Sequence, residues 1–272
     1  MLPIAINHMT VPDLHYEDLF EISSKLGCIG VELRNDLSQP LFNGDAPEVV
    51  LKKAHDKGLR IVGLSQVYPF NDWSDDVRGR VDVLIRTAKA CGAETISLIP
   101  RNDGWSLGKP ERIDHLREAL REITPMLAAT GMVALIEPLG FEFSSLRSKA
   151  ETIEVIESLG AARHYKLVHD TFHHHLAGGG PFFPEYTGIV HISGIVDKSL
   201  AVSAMRDEHR VLVDEGDILG NVPQIVALLD AGYRGAISYE AFSPETHALA
   251  DPEGALRRSI DYVMTAVAAV HA

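Results

Sequence analysis

Apolar and polar positions along this chain follow two alternating patterns. Short apolar runs rich in β-branched residues recur, and between most of them lie amphipathic stretches such as RVDVLIRTAKACG and HLREALREITPMLAATG, with apolar residues three and four apart. The junctions repeat as well. KLGCIGVELR, DKGLRIVGLS, ACGAETISLIP, ATGMVALIEP, SLGAARHYKLVHD and DAGYRGAISYE each end a helical pattern on a glycine and enter a buried run within a few residues. These glycines are Gly27, Gly58, Gly92, Gly131, Gly160 and Gly232. Each supplies the left-handed residue that closes a helix, a conformation that a residue with a Cβ adopts only at a cost. Their separations are 31, 34, 39, 29 and 72 residues, and the last interval has room for one more unit, which IVHISG at 189–194 fills.

With the opening PIAINHM, eight strands are predicted, near 3–8, 29–34, 60–66, 95–99, 133–138, 166–170, 189–193 and 236–240. Eight strand–helix units in 272 residues have the size and rhythm of an α/β protein built as a single (β/α)8 TIM barrel, one domain over 1–272. A doubly wound open sheet is the alternative, but no G-x-G-x-x-G follows the first strand. No linker or low-complexity tract divides the chain.

Composition narrows the partners. A net charge of −13 with no basic block gives nothing to grip a phosphate backbone, so no nucleic acid is expected. Cys28 and Cys91 stand 63 residues apart without ligand-like spacing, so neither a disulfide framework nor a thiolate zinc site is indicated, which fits a reducing cytoplasm. The N-terminal MLPIAINHMTVPDLHYEDLF has no basic leader and no apolar run long enough for a bilayer, so neither export nor a membrane partner is expected. A homo-oligomer is left open.

In such a barrel the active site forms at the carboxyl ends of the strands. The residues there are Arg34, Gln66, Arg101, Glu137, Asp170, His191 and Glu240. Any one of them fits a solvated loop or half of an ion pair. Glu137, Asp170, His191 and Glu240, however, lie on consecutive strands five to eight and would converge, and three carboxylates brought together repel unless a cation compensates. Three oxygen donors and one imidazole suit one divalent metal ion, Mn, Mg, Co or Zn. In HDTFHHH at 169–175, strand alternation turns His169 away from the axis that Asp170 faces. His173, where the chain enters the loop, can lean back over the site toward substrate, while His174 and His175 read as loop residues behind it. The AGGGPFFP that follows lacks the Lys-Ser/Thr of a P-loop. Arg34, Gln66, Arg101 and Trp105 are weaker candidates for pocket walls.

These motifs resemble the xylose-isomerase-like TIM-barrel superfamily of sugar isomerases and epimerases, and within it the inosose (2-keto-myo-inositol) isomerases and ketose 3-epimerases. The likeness covers nearly the whole chain and is densest in ALIEPLG, KLVHDTFHHHLAG, IVHISG, DEHRVLVDEGDI and AISYEAFSPETHALADPEGAL. It implies metal ligands at Glu137, Asp170, His191 and Glu240, the set reached from strand ends, and substrate-binding residues at His173 and Arg210. One departure stands out. Relatives follow the arginine with a Pro-Gly-x-Gly-like turn, whereas here Val211-Leu212-Val213-Asp214-Glu215-Gly216 keeps only Gly216, which bears on loop geometry and substrate preference. DNA-repair endonucleases of the same architecture use more histidine ligands and a basic face, which the −13 charge and single quartet disfavour.

The implied chemistry is isomerisation of a small polyol ketone or ketose. A metal would chelate the carbonyl and neighbouring hydroxyl oxygens and stabilise an enediolate, with Glu137 and Glu240 as catalytic proton carriers. Epimerisation follows from reprotonation on the other face, and dehydration from loss of a β-hydroxyl, as in inosose and dehydroshikimate dehydratases. A sugar-binding barrel with a structural metal is the non-enzymatic alternative.

Overall fold

A computed structural model describes residues 2–104 and 108–270. Eight parallel strands close into a barrel in sequence order: β1 Ile4–Asn7, β2 Gly30–Arg34, β3 Arg60–Val67, β4 Thr95–Leu98, β5 Val133–Ile136, β6 Tyr165–Asp170, β7 Thr187–Ile192 and β8 Ile237–Tyr239. β1 pairs with both β2 and β8, which leaves no open edge. The helices are α1 Tyr16–Lys25, α2 Pro47–Asp56, α3 Asp75–Cys91, α4 Lys109–Thr130, α5 Lys149–Ser158, α6 Thr171–Leu176, α7 Asn221–Asp230, α8 Pro244–His247 and α9 Pro252–Val270. The result is the (β/α)8 TIM barrel expected from the pattern.

Helix α3 shows how the local sequence makes one unit. The Ser74 side chain accepts a hydrogen bond from Val77 N at its start, and Asp75 and Asp76 complement the positive end of the helix. Val77, Val81, Leu84, Ile85, Ala88 and Cys91 make its buried stripe. Gly92 ends it at φ 71°, and a Cβ there would meet Leu51 Cδ1 at 2.6 Å. A residue other than glycine would therefore suffer both backbone strain and a clash. All six junction glycines have positive φ.

Inside the barrel, Ala5, Val62, Leu135, Val168, Ile189 and Ala236 form one apolar cluster apart from the larger core between strands and helices. Because side chains alternate along a strand, residues two positions further share the same face. Those positions are Asn7 on β1, Glu137 after β5, Asp170 on β6, His191 on β7 and Ser238 on β8, with Glu240 two further still. The interior thus changes from apolar at the bottom to ionisable at the top over one pleat. Among the described residues no helix is long and apolar enough to cross a membrane.

Candidate metal centre

Glu137, Asp170, His191 and Glu240 each offer a ligand atom, and these atoms lie within 4.8 Å of one another. All four residues are buried. His191 Nδ1 stands 3.2 Å from Glu240 Oε2 and 3.8 Å from Glu137 Oε1, yet it has no aligned hydrogen-bond partner. A buried nitrogen close to carboxylates but aligned with none suits a ligand aimed at a shared central point.

His191 is fixed from behind. Its Nε2 lies 3.1 Å from Glu32 Oε1 and 3.2 Å from Oε2. Asn7 Nδ2 donates to Glu32 at 3.3 Å and to Glu240 at 3.2 Å, tying the two carboxylates together. Glu32 and Asn7 are both fully buried. The sequence reading missed Glu32 because it lies inside β2 rather than at its end, and it passed over Asn7, the last residue of β1. The signal was present in GVELR, where a carboxylate interrupts an otherwise apolar strand two residues before Arg34.

Two guanidinium groups complete the centre. Arg34 Nη1 donates to Glu240 Oε1 at 2.7 Å, while its Nε and Nη2 donate to Asp36 at 2.9 and 2.8 Å. Arg210 Nη2 donates to Asp170 Oδ2 at 2.5 Å and to Glu240 Oε2 at 3.2 Å. Its Nε donates to Ser193 Oγ at 2.8 Å, and its guanidinium carbon lies 4.9 and 4.6 Å from the ring centres of Phe172 and Phe242. The altered segment after Arg210 does not leave it loose. Val211 bridges Gly194 between backbones, and the Arg210 carbonyl accepts from Phe242 N and Ser243 N.

Four buried carboxylates, Glu32, Glu137, Asp170 and Glu240, thus face two arginines. Because Arg34 and Arg210 are also shared with Asp36 and Asp207, an excess of negative charge remains for a divalent cation to offset. Without a cation, protons carry that load. Burial, with the nearby Glu240 and Asp170 charges, raises Glu137 above the usual carboxylate range. Burial would lower His191, but Glu32 and Glu240 overcome it and hold the imidazole well above its ordinary value. Burial would raise Glu240, but His191, Arg210 and Arg34 hold it far below. The donor set therefore fits a divalent metal.

A cleft of about 230 Å³ opens above this floor. Its polar lining includes Asp36, Gln66, Asn102, His173 and Asp207, and its apolar lining includes Phe141 and Phe242. His173 Nδ1 and Asn102 Oδ1 are buried there without a hydrogen-bond partner among the described residues. His173 is not a loop residue as expected. Asp170 Oδ1 accepts from His173 N at 2.9 Å and so caps the short helix α6, which carries His173, His174 and His175. His169 lies on the outer face of β6, its Nε2 paired with Gln224 Oε1 at 2.9 Å. Of the weaker candidates, Arg34 and Gln66 line the cleft, while Arg101 is taken up by Asp72 and Asp103 and does not. Trp105 lies outside the described residues.

Residues 20–266 match the xylose isomerase-like TIM barrel family. A xylose isomerase domain containing protein from Salmonella typhimurium is 30% identical, with a TM-score of 0.89 over 98% of this chain and 97% of that one. An IolI protein solved with a zinc atom has a TM-score of 0.87 at 18% identity, over 98% of this chain and 99% of that one, a likeness of fold. Inosose isomerase of Halalkalibacterium halodurans is 27% identical over 176 residues, 62% of this chain, and the match spans 61% of that enzyme's length.

Proposed function

Because the chain belongs to the xylose isomerase-like TIM barrel family, we propose that it is a divalent-metal-dependent isomerase of a polyhydroxy ketone, with an inosose as first candidate substrate. The observation that carries this reading is the buried quartet with its unaligned His191 Nδ1, set at the floor of a cleft whose walls alternate polar and aromatic groups. Such walls suit the hydroxyls and C–H faces of a small polyol. At about 230 Å³ the cleft is smaller than the roughly 300–1,000 Å³ of drug-sized sites.

Glu137, Asp170, His191 and Glu240 would hold the ion, which supplies Lewis acidity at the ketone and acidifies the neighbouring carbon. The two glutamates are not equivalent proton carriers. Glu240 is pinned, with Arg34 and Asn7 on Oε1 and Arg210 and His191 on Oε2. Among the described residues no side chain makes an aligned hydrogen bond to Glu137, whose nearest ion-pair partner is His191 at 3.8 Å, and Glu137 lines the cleft. Glu137 is therefore the more mobile base, removing the carbon-bound proton and returning it, with Glu240 the weaker partner across the barrel. Arg210 and His173, both lining the cleft, would hold the substrate oxygens.

The test is incubation of the metal-loaded protein with a panel of inososes and ketohexoses in deuterated water. An isomer carrying solvent deuterium supports the reading. Loss of water with a new ultraviolet absorbance would make it a dehydratase, and rapid turnover with no label in product or recovered substrate would exclude proton exchange through Glu137.

A further inference from the structure

A second cleft, of about 200 Å³, lies behind the first and has the opposite chemistry. Its lining includes Arg147, Ser148, Lys149, His173 and His174, closed over by Ala177, Gly179, Pro181 and Phe183 of the glycine-rich segment. No carboxylate lines it, although the chain carries a net charge of −13. Gly178, Gly179 and Gly180 all have positive φ, so the cover has a backbone course that only glycine adopts readily.

Neither cation here makes an ion pair among the described residues. Lys149 Nζ sits 2.7 Å from His169 Nδ1 and 3.1 Å from His174 Nδ1. An ammonium has three N–H groups, so one remains for another partner. Arg147 donates to the carbonyls of Gly140 and Leu176 and makes no ion pair. The nearest acidic residue in sequence, Glu151, pairs with Lys109 at 2.7 Å. Burial pulls Lys149 down to about 7, and the charge of Asp170 offsets that only in part. At the start of α5, Ser148 Oγ accepts from Glu151 N and Ser148 O from Thr152 N, while the N–H groups of Lys149 and Ala150 belong to the helix's unpaired first turn.

We propose that this cleft binds a small free oxyanion of the phosphate type, held by Lys149, Arg147 and the first-turn N–H groups of α5 beneath the glycine-rich segment. No member of the metal quartet lines this cleft, and of its lining residues only His173 also lines the first, so the anion is a ligand separate from the metal site. The site requires neither metal nor turnover and is tested independently of the isomerase reading.

Chelator-treated protein is titrated with inorganic phosphate by calorimetry, with sodium chloride at matched ionic strength as reference. Saturable binding of one phosphate is expected. Lys149→Met should weaken it at least about tenfold, the loss of one charged hydrogen bond. Since Lys149→Met can also disturb the packing around His169, Ala150→Glu is the companion. Ala150 is exposed and lines the cleft, so its replacement sets a carboxylate over the site and should abolish binding, whereas Ala150→Gln should retain it. Heats no larger than those of chloride, or wild-type affinity in both Lys149→Met and Ala150→Glu, would overturn the proposal. So would phosphate competing with substrate in the metal-loaded enzyme while Ala150→Glu leaves that competition unchanged.

Discussion

His191 and His169 lie on neighbouring strands, both buried, at 2% and 0% exposure, and their ring nitrogens face surroundings of opposite charge. His191 looks toward Glu137 and Glu240 and is backed by Glu32, so its proton affinity rises. His169 looks outward, toward Lys149 and Gln224, and burial together with the lysine charge pushes its proton affinity well below the ordinary value. Residue type and burial are therefore the same in both. Strand parity decides which histidine meets carboxylates and which meets a cation, and thereby which can serve a divalent ion.

The largest effect that bears on this contrast is loss of metal. His191→Ala should abolish stoichiometric metal retention, measured by elemental analysis after gel filtration, while the apo barrel keeps its far-ultraviolet circular dichroism. A His191→Ala protein that still holds one ion per chain would dissolve the distinction between the two histidines. Next in size is Glu137→Gln, which keeps the shape and one oxygen but removes the mobile base. With metal content matched on the same sample, turnover should fall by roughly 10²–10⁴. A larger fall in Glu240→Gln would show that the pinned carboxylate, and not the free one, carries the proton.

The barrel was legible because its signal is repeated. Six junction glycines, all with positive φ, punctuate the chain, and a seventh strand could be inferred from an interval of double length. The quartet was legible because each member lies within one residue of a strand's end, where an apolar strand has no use for it. Glu32, inside β2, and Asn7, a neutral amide at the end of β1, were not, since they matter only through contacts that cross the barrel, as from Glu32 to His191 over 159 positions in sequence. Arg34 was undervalued for the same reason. Its partner Glu240 lies 206 residues away, and nothing local distinguishes it from a surface arginine. The role of Lys149 also depends on a meeting of α5 with β6 and α6 that no spacing reveals.

Glu32 sharpens the contrast at intermediate size. Glu32→Gln should leave the four donors in place but remove the charge that orients His191, weakening metal affinity about 10–100-fold in a competition titration with a fluorescent chelator. Unchanged affinity would mean that packing alone orients the ring. The pH dependence follows from the same groups. In the ion-free protein the raised folded values of His191 and Glu137 contribute stability that is fully present below their unfolded values and is lost as pH rises through the folded ones. Metal competes with those protons, so the gap in melting temperature between loaded and chelated protein should widen from about pH 6 to about pH 8. A gap that narrows over this window would contradict the raised His191 and Glu137 values.

The smallest effect belongs to His169. His169→Ala removes the acceptor of Lys149 Nζ and the donor to Gln224 Oε1, two buried hydrogen bonds whose loss should destabilise the fold by roughly 1–3 kcal/mol. Gln224 keeps its other bonds, to the carbonyls of Thr171 and Leu219, so the damage should stay behind β6. Metal content should then remain near one ion per chain, because the face that carries Asp170 is untouched. Denaturant unfolding and metal analysis on the same preparation separate the two expectations. A stable His169→Ala protein that has lost its ion would mean that the outer face of β6 controls the metal centre, and that strand parity does not divide the two histidines as described.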